Sequence, residues 1–141
     1  MKHEYEEFLN PSCCAIKACP VDTTVKLMGK KFAMHIIRNM TMFKQTRFNQ
    51  FLDSIEGINP KTLSVRLREM EKDGLITRKI YPETPPRVEY AMTEKGHALT
   101  PILIQMAEFS MKYCCGDVFA DGKSRTIKQV LHPKVLKQLQ Q

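Results

Sequence analysis

The chain has 141 residues, with 22 Lys and Arg against 15 Asp and Glu for a net charge of +7, a size that suits one domain with extensions and a core of its own. No apolar run reaches the roughly eighteen residues of a membrane span, and the acidic start MKHEYEEF is unlike a signal peptide, so a cytoplasmic protein with no membrane partner is expected. Five cysteines, an odd number without an export signal, argue against a disulfide framework and for reduced thiols.

The positive charge is uneven. Residues 1–20 carry two bases and three acids, residues 21–115 fifteen and ten, and residues 116–141 five and two. A basic central region suits a polyanionic partner, although the same balance occurs in proteins that never meet nucleic acid.

Residues 1–18 form an N-terminal extension with a short apolar-acidic segment (Tyr5, Phe8, Leu9) and the pair Cys13-Cys14. A first helix starts at Cys19-Pro20, where Pro20 suits the first turn, Asp22 favours the positive end of the dipole, and Val21, Val25 and Met28 share a face. Gly29 ends it. A second helix runs from Lys31 with Phe32, Ala33, Ile36, Ile37 and Met40 inward, Lys30, Lys31 and Arg38 outside, and His35 partly buried between the faces. Thr46 is placed to cap a short helix that buries Phe48, Phe51, Leu52 and Ile55.

The turn Glu56-Gly57-Ile58 leads to NPKTLSVRLREMEKDG, residues 59–74, around which the rest is organised. Asn59 can cap, Pro60 suits the first helical position, and Asp73-Gly74 supplies a left-handed stop. Leu63, Leu67 and Met70 fall in one buried sector, while Lys61, Val65 and Arg68 lie opposite, flanked by Thr62 and Ser64. A plain amphipathic helix would bury the same three residues. The neighbours favour a recognition helix, because a short helix and a tight glycine-containing turn precede it, making a helix-turn-helix. Arg66 and Asn59 join Lys61, Thr62, Ser64, Val65 and Arg68 as candidate DNA contacts, and Thr46 and Arg47 are placed for phosphate at the N-terminus of the preceding helix.

After Gly74 the period changes to alternation. Ile76, Arg78, Ile80 and then Val88, Tyr90, Met92 read as two strands joined by a proline-rich, stiff tip, a wing with Arg87 at the base of the tip as a minor-groove or backbone contact. The alternative is that Arg78, Lys79 and Arg87 are solvated edge charges. Thr93 caps the next segment, in which Leu99, Ile102, Leu103, Met106, Phe109 and Tyr113 form a broad apolar stripe. Pro101 either kinks that helix or opens a new one at Thr100-Pro101. The stripe exceeds what a small domain can cover, so it is expected to pack on its copy in a homodimer, supplying two half-sites. Residues 116–141 make a C-terminal extension of unassigned role, with Ile127, Val130, Leu131 and then Val135, Leu136, Leu139 as two amphipathic turns broken at His132-Pro133.

The order of elements, with CPVDTTVKLMGKKF and RFNQFLDSIEGINPKTLSVRLREMEKDGLITRKIYPETPPRVEYAMTEKGHAL, resembles the HxlR-type winged helix-turn-helix transcriptional regulators from about Cys19 to Phe109. The resemblance implies a mainly α fold with a small β-hairpin. Residues 19–93 would be the DNA-binding domain, residues 94–115 the dimerisation helix, and double-stranded operator DNA the partner. Tryptophan is usual in that family where Phe32 stands, and glycine where Lys30 stands.

Cys19 lies at a helix N-cap, where dipole and amides favour a thiolate. In the resembling family a cysteine before this proline senses oxidants in some members, which implies the same for Cys19, with Cys13, Cys14, Cys114 or Cys115 as resolving partners. An oxidant or a small molecule stands as candidate effector. An inert packing thiol and a zinc site are the rival readings, although the C-C-x4-C and C-C spacings lack paired C-x2-C knuckles. No His/Asp constellation, glycine-rich phosphate loop or H-E-x-x-H spacing occurs, so neither an enzyme nor a cofactor is expected. A winged domain used for protein contact remains the alternative function.

Overall fold

The computed structural model describes residues 17–140, so Tyr5, Phe8, Leu9, Cys13 and Cys14 lie outside the described residues. The elements run α1 (Pro20–Met28), α2 (Ala33–Met42), α3 (Phe48–Ser54), α4 (Pro60–Lys72), β1 (Ile76–Tyr81), β2 (Arg87–Met92), α5 (Glu94–His97), α6 (Thr100–Tyr113), α7 (Cys115–Val118), α8 (Ile127–Val130) and α9 (Pro133–Leu139). The two strands form one antiparallel hairpin, registered from Ile76 opposite Met92 to Tyr81 opposite Arg87. This is a winged helix-turn-helix: α2 to α4 carry the core, the hairpin is the wing, and α6 backs them.

The core forms where the apolar sectors of these elements meet. Ile36 and Ile37 of α2, Phe51 of α3, Leu63 and Leu67 of α4 and Ile76 of β1 are fully buried together, and Tyr90 sets its ring edge against Phe51. Each such side chain contributes about 1.5–3 kcal/mol of burial. Asn39 is the polar exception, and every part of it is engaged. Its side-chain amide donates to Gln45 Oε1 (2.9 Å) and Ser54 Oγ (2.8 Å), and its oxygen accepts from Arg38 Nε (2.9 Å). Its backbone carbonyl also accepts from the amides of Phe43 and Gln45, so one residue fixes the loop into α3.

The ends of α4 explain its rigidity. Asn59 Oδ1 accepts from the Thr62 amide at 2.9 Å, and Pro60 occupies the first turn where no amide partner is lost. At the other end Gly74 takes φ 75°, while the Leu75 amide reaches the Met70 carbonyl and the Gly74 amide that of Glu71, a paired closure sealed by buried Leu75.

Several sequence expectations are corrected. Phe32 stands outside α2, at its N-cap with φ 70°, and is buried from there rather than from a helical turn. His35 is exposed, its ring edge against Phe32 at 5.7 Å between centroids. Thr46 does not cap α3: Arg47 occupies the cap position, and Gln50 Oε1 accepts from the amides of Thr46 (2.9 Å) and Arg47 (3.0 Å). Thr100-Pro101 does open a new helix, after the short α5 that Thr93 caps by accepting from the Gly96 amide.

The C-terminal extension folds back on the domain. α8 lies against α6, and α9 against α2. Its turn is tied by Arg125, which pairs with Asp121 at 2.5 Å and stacks over Phe119; hydrogen bonds from Arg125 and the Lys123 amide hold the Asp121 carboxyl at about 2.

Candidate nucleic-acid interface

The two sides of α4 have distinct surroundings. Leu63, Leu67 and Met70 are buried, while Lys61, Val65 and Arg68 are exposed, with Thr62 and Ser64 half-buried beside them. Arg68 Nε makes only a long contact, 3.4 Å, to the Ser64 carbonyl, which leaves the guanidinium ends turned outward. Between α4 and the wing, Phe48, Ser64, Arg68, Arg78 and Tyr90 help line a depression of about 560 Å3. Arg78 was absent from the candidate set. The signal was there: Ile76, Arg78 and Ile80 alternate, so a cation on that register shares its strand face with Ile76, whose side chain is buried.

Two expected cations are engaged within the chain. Arg66 donates from Nε to the Lys31 carbonyl at 2.8 Å and pairs with Glu69, leaving its side chain 14% exposed. It lies on the flank of the helix turned toward the α1–α2 loop. Arg87 folds over the Tyr81 ring at 4.3 Å, with Glu83 at 3.3 Å and Glu89 at 3.6 Å, so its charge is offset inside the hairpin. Asn59 is committed to capping α4, and the amides of Thr46 and Arg47 are taken by Gln50. What remains at the start of α3 is the exposed Arg47 side chain.

Scaffolding contacts hold this surface in place. The Tyr90 amide of β2 donates to the Thr46 carbonyl at 2.7 Å, joining the wing to the entrance of α3. Lys30, in the α1–α2 loop, lies 3.5 Å from Glu69 and 3.6 Å from Asp73, and grips the far side of α4 together with the Lys31–Arg66 bond.

The apolar stripe of α6 splits. Leu99 is buried in the chain's own core and Ile102 and Leu103 pack partly against it, because α6 lies against α2. Met106, Phe109 (60% exposed) and Tyr113 (67%) stay uncovered, as does Val21 of α1 (71%). The Val21–Val25 face that the spacing sets on one side of α1 is thus exposed in the chain.

Cys19 is half-buried at the N-cap of α1 and makes no cap hydrogen bond through its thiol; Cys114 and Cys115 are half-buried at the end of α6. Among the described residues no three His, Cys, Asp or Glu groups gather as a metal site, and no helix is long and apolar enough to cross a membrane.

A family model described as HxlR-like helix-turn-helix matches residues 27–117. An HTH-type transcriptional regulator of Synechocystis sp. is 44% identical over 89 residues, which span 62% of this chain and 64% of that protein, a little under two thirds. Among solved structures, the redox regulator HypR in its oxidized form superposes with a TM-score of 0.59 at 38% identity, covering 65% of this chain and 94% of that one. The reduced transcriptional regulator YodB from B. subtilis superposes with a TM-score of 0.57 at 31% identity, covering 69% and 95%.

Proposed function

The chain belongs to the HxlR-like helix-turn-helix family and is a transcriptional regulator of that type, and from this premise we propose that it reads double-stranded operator DNA as a homodimer. The observation that carries the reading is the outward face of α4. Lys61, Ser64, Val65 and Arg68 stand exposed or half-exposed on a helix locked at both ends, with Arg78 across the adjoining depression and Arg47 exposed at the start of α3. A helix of this kind in a major groove offers Arg68 to base edges and Lys61 to base edges or phosphates, while Arg47 and Arg78 meet phosphate. Arg66 is omitted from the contact set, and Arg87 joins only if it leaves its two glutamates.

One helix reads few base pairs, each worth roughly 1–3 kcal/mol, so specificity calls for a second copy about one duplex turn, roughly 34 Å, away. The uncovered Met106, Phe109 and Tyr113, with Val21 and Val25, supply a surface suited to that pairing. Residues 19–93 would then serve DNA binding and residues 94–115 dimerisation.

The test is binding to a pseudo-palindromic fragment from upstream of the protein's own gene. Affinity should fall steeply with salt as counterions return to the duplex. Arg68→Ala should blur sequence choice, Arg47→Ala should weaken all sequences alike, and Phe109→Asp should yield monomers with weak binding. Unchanged binding by both arginine variants would remove the assignment, and absence of any mobility shift would favour a protein-contact module.

A second reading concerns the thiol. Cys19 precedes the helix whose far end feeds the loop gripping α4, and HypR, a structural neighbour, is a redox regulator. Oxidation of Cys19 to a disulfide, with a cysteine of this chain or its copy as partner, would alter α1 and through it the seat of α4. Loss of footprint with diamide, absent in Cys19→Ser, is the expected result.

A further inference from the structure

The C-terminal extension does more than lie on the surface. With the end of α2 and one side of α6 it lines a half-open apolar cavity of about 240 Å3, with Ala107 and Val130 at its exposed rim. Leu103, Ile104, Ala107 and Met111 of α6 form one wall with Met42. Ile127, Val130 and Leu131 of the α8 region and Leu139 of α9 form the roof. The family match ends at residue 117, so the roof lies beyond the matched segment.

We propose that this cavity is an effector site for a small, neutral, hydrophobic molecule, of the size of a bicyclic aromatic hydrocarbon. Among the described residues no charged side chain lines it, and its one hydroxyl, Ser110 Oγ, donates to the Met106 carbonyl at 3.3 Å. A charged or strongly hydrogen-bonding ligand would lose its water there without replacement. An enclosed apolar cavity of about 150 Å3 takes benzene, so this half-open one has room for about ten non-hydrogen atoms. Met42 and Met111 in the wall favour an aromatic occupant, since thioether sulfur is polarisable and packs against ring edges.

The position suits regulation, and this part rests on the DNA-binding dimer proposed above. Leu103, Ala107 and Ser110 mark the cavity side of α6, and Met106, Phe109 and Tyr113 lie on a separate face. The same helix therefore touches the ligand on one side and the second chain on the other. Met42, at the end of α2, stands next to the loop into α3.

The probe is naphthalene, followed by equilibrium dialysis and its own fluorescence. The full chain is expected to hold one equivalent with a Kd of about 10–100 μM. Ala107→Phe fills the cavity and Val130→Asp charges its rim at a half-exposed position; each should weaken binding at least tenfold. Ile80→Ser, which removes an exposed apolar group on the wing, should bind like the parent. Should Ala107→Phe fail to fold, Val130→Asp decides. No saturable binding, binding retained in Val130→Asp, or loss in Ile80→Ser overturns the site. Saturating naphthalene should also shift operator affinity at least threefold in the parent and not in Val130→Asp; dialysis binding with unmoved affinity overturns the effector role. A protein that binds no DNA defeats the proposed function instead, and the dialysis still judges the cavity.

Discussion

Gly96→Ala is a sharp test of the packing beneath the wing. A Cβ at position 96 would stand 2.1 Å from the Leu75 carbonyl oxygen and 3.4 Å from Met92 Cβ. An ordinary carbon–oxygen contact is roughly 3.3 Å, so about 1.2 Å must be found by moving backbone. That carbonyl cannot yield cheaply: it accepts from the Thr93 amide at 3.1 Å, the Thr93 hydroxyl donates to the adjoining Gly74 carbonyl at 2.5 Å, and Leu75 is buried. Overpacking costs about 1–3 kcal/mol and the strained hydrogen bonds roughly 1 kcal/mol more, against a helix-propensity gain of at most about 1 kcal/mol. The net loss of about 1–3 kcal/mol should lower Tm by roughly 3–12 °C in a scan followed by circular dichroism. Gly116→Ala, whose added Cβ meets nothing within 4 Å, serves as the control and should change stability by less than about 0.5 kcal/mol. A Gly96→Ala protein that melts with the parent, or a control that falls equally, would refute the argument.

Further outcomes follow from the same contacts. Asn59→Ala should cost about 1 kcal/mol in urea denaturation, since the Thr62 amide loses its acceptor. Arg66→Ala should destabilise by about 1–2 kcal/mol through loss of the Lys31 carbonyl bond while leaving sequence preference on DNA unchanged, the reverse of Arg68→Ala. His35 has its pKa lowered, first by partial desolvation of the ring and then by the Arg38 guanidinium. A lowered folded pKa means the unfolded chain binds the proton more readily, so this contribution is intact above the unfolded value of 6.5 and fades as pH falls through the folded one. His35→Gln should flatten that part of the stability profile, and an unaltered profile between pH 5 and 7, roughly that window, would count against it.

Much of the fold was legible because its signals are local. Asn59, Pro60 and Gly74 bound α4 within the chain that they terminate, the alternation Ile76-Arg78-Ile80 gives the wing's faces, and Pro101 marks the start of α6. What escaped depends on partners distant in sequence or on side chains that substitute for one another. Gln50 takes the role expected of Thr46 because its amide oxygen reaches two backbone amides at once. Arg66 is recruited by a carbonyl 35 residues away, which no helical period reveals. The neutralisation of Arg87 follows from the register Tyr81–Arg87, which the strand pattern alone did not fix. The tail's apolar turns were visible, but the cavity they roof exists only once α8 and α9 meet α6 and α2.

The clasp of Lys30 on Glu69 and Asp73 bears on how a titration with salt is to be interpreted. Both pairs are partly exposed, at 3.5 and 3.6 Å, and weaken as mobile ions accumulate. Rising ionic strength therefore loosens the mounting of α4 while it also restores counterions to the duplex. The two effects add, and a tally of phosphates taken from the slope alone comes out too high; a Lys30→Met protein, with the mounting already slack, would give the truer number.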